Sequence, residues 1–294
     1  LCILVASGAF AQQSIIISAP QSKEVAARLA RADSLLSAAD TTAISAYWPN
    51  VQPKYFFDNI RQNLAHPNAI HQGRATNFCG YAAFTHLLVK YRPDLYVESL
   101  LNLYRNNSTQ LANGLWTVSP AVSKAAGTLS QKGELDVHHA DQLWFLALAD
   151  HFKGYMNITD HHYDPGDENK IWAGTNFSKF NKMLRAFSNS KQAAKGSDFI
   201  RPMVGDRYTY LSEQLSRGVV LLFINNKHLY PHKHSAFTLR APTHFIVLYS
   251  IAKQGNLFQL QYWDYGYRTE LIITEKRLYK LIFGITSLHK AKAS

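Results

Sequence analysis

The chain reads as an α+β fold, with helices gathered in its N-terminal part and an antiparallel sheet at its C-terminal end. Three observations lead there. Between Cys79 and Tyr104 apolar residues recur at helical spacing, from Gly218 onward the period is that of strands, and two strand-like runs flank the turn sequence Lys253-Gln254-Gly255.

The first fourteen residues, Leu1-Cys-Ile-Leu-Val-Ala-Ser-Gly-Ala-Phe-Ala-Gln-Gln-Ser, form an uncharged apolar run that ends in Ala9-Phe10-Ala11. An apolar stretch closed by a small-x-small triplet has the form of a secretory signal peptide, so cleavage after Ala11 and export to the periplasm or the extracellular space are expected. A lipid anchor on Cys2 is the competing reading. No later run approaches the roughly 18 apolar residues of a membrane span. Sequencing the exported protein checks the expectation, and the mature N-terminus should be Gln12.

Ser22 to Ala39 carries Val25, Leu29, Leu35 and Leu36 among charges, an amphipathic helix that Ser22 would cap. Trp48 to Ile70 contains Pro49, Pro53 and Pro67 and reads as an irregular lead-in with at most a short helix. Phe84, Leu87, Leu88 and Tyr91 mark one helix after Cys79, and Val97, Leu100, Leu101 and Tyr104 mark a second. Pro93 suits the first turn of the second. Residues 106–217 look mostly helical and looped, with Leu143–Phe152 and Phe177–Phe187 as the clearest helices and Thr175 or Asn176 as cap of the latter. Val219–Ile224 is a buried strand by its continuous apolar run. The expected organisation is a signal-peptide remnant at 1–11, a lead-in at 12–60, and one domain over 61–294 with a helical insertion at about 106–217.

A hydrophobic fraction of 47% and 13% aromatic residues supply a packed core. The net charge of +11 is spread along the chain and favours anionic surroundings such as envelope polymers, acidic proteins or lipid headgroups. Without a clustered basic motif, nucleic acid is not an expected partner. His161, His162, Asp164 and Asp167 lie in a polar turn-rich loop whose spacing matches no metal-ligand motif, and His138, His139, His228, His232 and His234 read the same way. No cofactor is expected.

Removal of Cys2 with the signal peptide leaves Cys79 as a lone thiol without a disulfide partner, which makes reactivity its leading explanation; a small buried core residue is the other. Its place at the start of a helix matters, because unpaired N–H groups and the helix dipole favour a thiolate there. Downstream, Thr243–Ile251 and Leu257–Tyr262 form a hairpin. A three-residue loop of Lys253, Gln254 and Gly255 sets His244 opposite Asp264, and a neighbouring loop length shifts that pairing by about one residue.

A thiol at a helix start, followed 165 residues later by a strand-initial histidine with an aspartate across the hairpin, resembles the papain-like cysteine peptidase superfamily. The likeness is nearer to bacterial members with a Cys-Gly-x-x-Ala helix than to the lysosomal enzymes, whose Cys-Gly-Ser-Cys-Trp signature is absent. It covers about residues 70–105 and 215–270. It implies a papain-like fold with Cys79 as nucleophile, His244 as base and acid, Asp264 orienting the imidazole, and Gln72 donating to the oxyanion. Gln72 stands one residue further from the cysteine than in the best-known members, so Asn77 is a rival donor. The implied activity is amide hydrolysis on a protein, peptide or peptidoglycan substrate. An acyltransferase with the same residues, or an inactive binding protein on the same fold, is the alternative.

Overall fold

The computed structural model describes residues 19–73, 76–112, 114–128, 138–155, 162–187, 191–229 and 242–289. The segment expected to be a signal peptide, Cys2, His161, His232 and His234 lie outside them. The architecture is α+β, with helices towards the N-terminus and an antiparallel sheet towards the C-terminus.

Helix α1 (Ala19–Ser37) begins before Ser22 and runs along α4, with Arg28 donating to the Tyr91 carbonyl and Arg31 paired with Glu98. The lead-in holds a full helix, α2 (Pro53–Ala65), where only a short one is expected from its prolines. Pro53 occupies the first turn, which tolerates a missing N–H, and Phe56, Phe57 and Ile60 give the helix a buried stripe. Asn59 and Asn63 on that stripe both donate to the buried Asp141 carboxylate, at 3.0 and 2.8 Å. A 3₁₀ turn (Pro67–Ala69) then leads into the segment before the cysteine.

Helices α3 (Cys79–Tyr91) and α4 (Pro93–Asn106) meet at Pro93 as the periodicity implies. Within 106–217 a short hairpin, β1 (Ser108–Leu111) and β2 (Gly114–Thr117), precedes α5 (Pro120–Ala125), α6 (His139–Phe152) and α7 (Phe177–Phe187). Asn176 caps α7, its Oδ1 accepting from the Lys179 amide at 2.9 Å. Helix α6 is buried on almost every side. Trp144 at its centre donates to the Thr85 hydroxyl at 2.8 Å, which ties α6 to the cysteine helix.

The remaining elements are β3 (Lys191–Gly196), α8 (Arg207–Arg217), β4 (Gly218–Ile224), β5 (His244–Gln254), β6 (Leu257–Asp264), β7 (Tyr267–Thr274), α9 (Glu275–Leu281) and β8 (Ile282–His289). The six-stranded sheet has the order β3-β8-β4-β5-β6-β7, with every paired neighbour antiparallel. Leu221, Phe223, Phe245, Val247 and Trp263 join the helical core on one face, whereas Leu222, Ile246, Leu260 and Tyr262 pack with α8 and α9 on the other. Strand alternation thus sorts the residues into two cores.

The β5–β6 hairpin differs from expectation in its loop. Gln254 pairs with Leu257, so the turn has two residues, Gly255 and Asn256, and Gly255 takes φ 58°, the positive value that a two-residue II′ turn requires at its first position. Carried to the strand ends, that register would set Asp264 across from Val247, on the face opposite to His244. A bulge at Tyr249 between Leu248 and Ser250 advances the pairing by one, giving Val247 opposite Trp263 and bringing Asp264 across from Ile246. Ile246 is two residues from His244 on the same face. A one-residue irregularity therefore decides whether the histidine and the aspartate can meet.

Candidate functional site

Three elements converge where β4 ends and β5 begins. Helix α3 contributes Cys79 as its first residue, after an N-cap, Phe78, that supplies no side-chain hydrogen bond to the first-turn N–H groups. Those donors face outward at the positive end of the helix dipole. Close approach of α3 to β5 depends on Gly80. A Cβ there would sit 2.4 Å from Thr175 Cγ2 and 3.1 Å from the Phe245 ring, and Phe245 follows His244 directly. Gly80→Ala is expected to cost about 1–3 kcal/mol by overpacking, read as a lowered Tm, and to disturb the spacing between helix and strand.

Cys79, His244 and Asp264 are brought together, as the sequence suggests. The cysteine Sγ lies 3.6 Å from the carbonyl oxygen of Thr243, the residue that precedes His244. His244 Nε2 lies 2.5 Å from Asp264 Oδ1. The three are shielded from water: Cys79 is 9% exposed, His244 2% and Asp264 1%.

Burial by itself disfavours a charged imidazole, yet the pKa of His244 is raised well above 6.5. Tyr265, the Asp264 carboxylate and the hydrogen bonds to Asp264 and Cys79 outweigh the desolvation. Burial also raises the pKa of Tyr265. At neutral pH that phenol is uncharged, so the carboxylate is the partner that holds the cation.

Tyr265 is a residue of this site that sequence reasoning misses. Its ring stacks on His244 with centroids 4.5 Å apart and planes 18° from parallel, while His71 lies 6.4 Å away. With Gly266 it forms the two-residue turn between Asp264 and Tyr267, at φ values of 47° and 83°. Two successive positive φ angles make a I′ turn, for which Asn-Gly is the usual sequence, and a tyrosine there costs roughly 1–2 kcal/mol. Tyr265→Gly removes the backbone cost together with the ring. It is expected to leave Tm within a few degrees of wild type while slowing alkylation of Cys79 at pH 6; Tyr265→Phe should retain the wild-type rate. Thermal melting alongside labelling kinetics tests both.

Gln72 is buried in the segment that borders the site. Its Nε2 donates to the Thr76 carbonyl at 3.3 Å, and the Thr76 hydroxyl returns a 2.6 Å bond to the Gln72 carbonyl. The rival, Asn77, is fixed through its backbone N–H, which donates to the Glu168 carbonyl at 2.7 Å. Neither carboxamide is in hydrogen-bond contact with the thiol. The backbone donors at the start of α3 are nearer in sequence to where an oxyanion would form.

A second residue outside the expected set, His86, locks α3 to the hairpin. Its Nδ1 bonds the Pro67 carbonyl at 2.9 Å, its Nε2 lies 2.8 Å from the Tyr249 hydroxyl, and its ring stacks on Trp263 at 4.7 Å. Tyr249 is the bulge residue and Trp263 precedes Asp264, so one imidazole joins the cysteine helix to the strand positions that set the aspartate. Because Nδ1 faces a carbonyl it carries the proton, and Nε2 accepts from Tyr249. Burial lowers the pKa of His86 to about 4.

Among the described residues no three His, Cys, Asp or Glu side chains gather in a way that could hold a metal ion. No family model, curated protein or solved structure matches the chain.

Proposed function

We propose that the chain is a cysteine hydrolase of papain-like type that cleaves amide bonds through Cys79, His244 and Asp264. The observation that carries this reading is the buried, 2.5 Å contact between His244 and Asp264, with the Cys79 thiol against the carbonyl of the adjacent Thr243. In the reaction, Cys79 Sγ, its proton already held by His244, bonds to the substrate carbonyl carbon, and the carbonyl oxygen becomes an oxyanion facing the first-turn N–H groups of α3. Collapse breaks the C–N bond, with the amine leaving on the proton from His244. Water, deprotonated by His244, then hydrolyses the thioester and restores the thiol.

Gln72 and Asn77 are the side-chain candidates for a further oxyanion donor. Loss of a true donor lowers the maximal rate by roughly two to three orders of magnitude with little change in apparent affinity, so Gln72→Ala and Asn77→Ala kinetics assign the role. Peptides, proteins and peptidoglycan stem peptides are the substrate classes that suit an exported basic enzyme. An acyltransferase would replace water by an amine.

The deep burial of the three side chains favours one other reading, a papain-like scaffold that binds without turning over. Iodoacetamide labelling of Cys79 at pH 6, followed on the Cys79 peptide by mass spectrometry, separates the two. A hydrolase should be labelled at least about tenfold faster than its His244→Ala variant. Equal, slow labelling of both proteins would sink the catalytic reading and leave the scaffold.

A further inference from the structure

At the sheet end where β3 and β4 terminate and β8 and β5 begin, the 197–206 segment joins β3 to α8 and carries three large apolar side chains out into solvent: Phe199 is 86% exposed, Ile200 65% and Met203 88%. The loop is held in this shape. The Ser197 hydroxyl accepts from the Phe199 and Ile200 amides at 3.2 and 2.8 Å, and the Ser197 amide donates to the Ile200 carbonyl at 2.9 Å. Asp198 anchors its base, accepting from the Tyr155 hydroxyl at 2.9 Å and the Phe177 amide at 3.2 Å.

Arginines flank the apolar tip. Arg201 lies over the Phe283 ring at 4.2 Å and near Tyr279 at 5.7 Å, while Arg207 lies over Tyr279 at 3.9 Å. Tyr279 is itself half exposed, and Lys280 follows it. Both acids of the loop are engaged within the chain, Asp198 at its base with Tyr155 and Phe177 and Asp206 in capping α8 through the Tyr208 and Thr209 amides. Side chains this exposed protrude; they do not line a groove, so they suit a soft apolar phase better than a substrate's side chain. Cationic and aromatic groups around an apolar tip are the combination that lies at the boundary between headgroups and acyl chains.

We infer that the 197–206 loop docks on an anionic lipid surface, with Phe199, Ile200 and Met203 entering the acyl boundary and Arg201, Arg207 and Lys280 meeting the headgroups. The charge of the whole chain, +11, draws it to the same surface. This docking is independent of whether Cys79 is catalytic.

Co-sedimentation of the full chain with vesicles tests it. The wild type should bind vesicles containing about one-third phosphatidylglycerol and bind pure phosphatidylcholine vesicles at least about tenfold more weakly, with added salt weakening the former. The triple variant Phe199→Ser, Ile200→Ser, Met203→Ser alters exposed positions only and should lose most of the binding while keeping the wild-type Tm. Its N-terminal apolar run is unchanged, so the difference between the proteins reads the loop. Phe199→Trp should in addition be quenched by brominated acyl chains. Absence of wild-type binding to anionic vesicles, equal binding by the triple variant, or capture of the loop by an apolar peptide without any affinity for vesicles would overturn the inference.

Discussion

His244→Ala and Cys79→Ala should each abolish turnover on any substrate the wild type cleaves, and Asp264→Asn should lower it by about three to four orders of magnitude. Residues that act as one unit lose nearly all activity when any member is removed, whereas loss of the orienting carboxylate leaves the nucleophile and its base in place. The three variants should differ in stability in a way that their kinetics do not show. His244→Ala leaves the Asp264 carboxylate buried without its imidazole partner, a situation that costs about 3–5 kcal/mol. Asp264→Asn removes the charge along with the pair and should unfold at a higher temperature than His244→Ala. Cys79→Ala disturbs one half-buried contact to the Thr243 carbonyl and should melt close to wild type. Activity on a peptide panel and thermal melting of all four proteins check the set. Near-normal turnover in His244→Ala on a substrate that requires Cys79 would remove the histidine from the mechanism.

The second large effect is an acid sensitivity located at His86. Its imidazole is neutral in the folded protein down to a pKa of about 4, while in the unfolded chain it takes up a proton near 6.5. The unfolded state therefore binds more protons between those values. Stability is fully present above pH 6.5 and falls as the pH drops towards 4, by about 3 kcal/mol from this group. Lys90, one turn further along α3, adds to the depression. His86→Gln cannot titrate, so it should be less stable than wild type at pH 7 and show a shallower loss between pH 6.5 and 4. Chemical denaturation across that range measures the difference, and parallel slopes for the two proteins would disprove the assignment. The partly buried histidines His139, His151 and His228 also have lowered pKa values. They contribute equally to both proteins and cancel in the comparison.

Which parts of this molecule were legible in its sequence follows from what writes each signal. The α3–α4 pair, α6, α7, β4 and the β5–β6 hairpin announce themselves because burial on a defined face imposes a period. Strand β3, Lys191-Gln-Ala-Ala-Lys-Gly, has no such pattern, since it is an exposed edge held by pairing with β8. Helix α2 was obscured by the prolines around it, although Pro53 starts the helix without interrupting it. At the site, the nearness of Cys79, His244 and Asp264 was readable from residue type and order. Tyr265 was not, because a tyrosine is an unfavourable choice for a left-handed turn position and only the stack on His244 accounts for it. His86 was hidden among the apolar residues of its helix, and its importance comes from contacts far away in sequence.

The bulge at Tyr249 also bears on how this hairpin can change over time. Extra residues at the Gly255-Asn256 tip can be looped out without touching the pairing below, so length variation there is silent for the site. Loss of one residue from the paired strands between Tyr249 and Gln254 or between Leu257 and Asp264 is a different event: it inverts the facing of every position beyond it, and the carboxylate turns away from His244 while the strand remains well formed. Descendants of this chain can therefore lengthen the ribbon at its tip freely, but along its shaft only compensated pairs of insertions or deletions keep the histidine and the aspartate in contact.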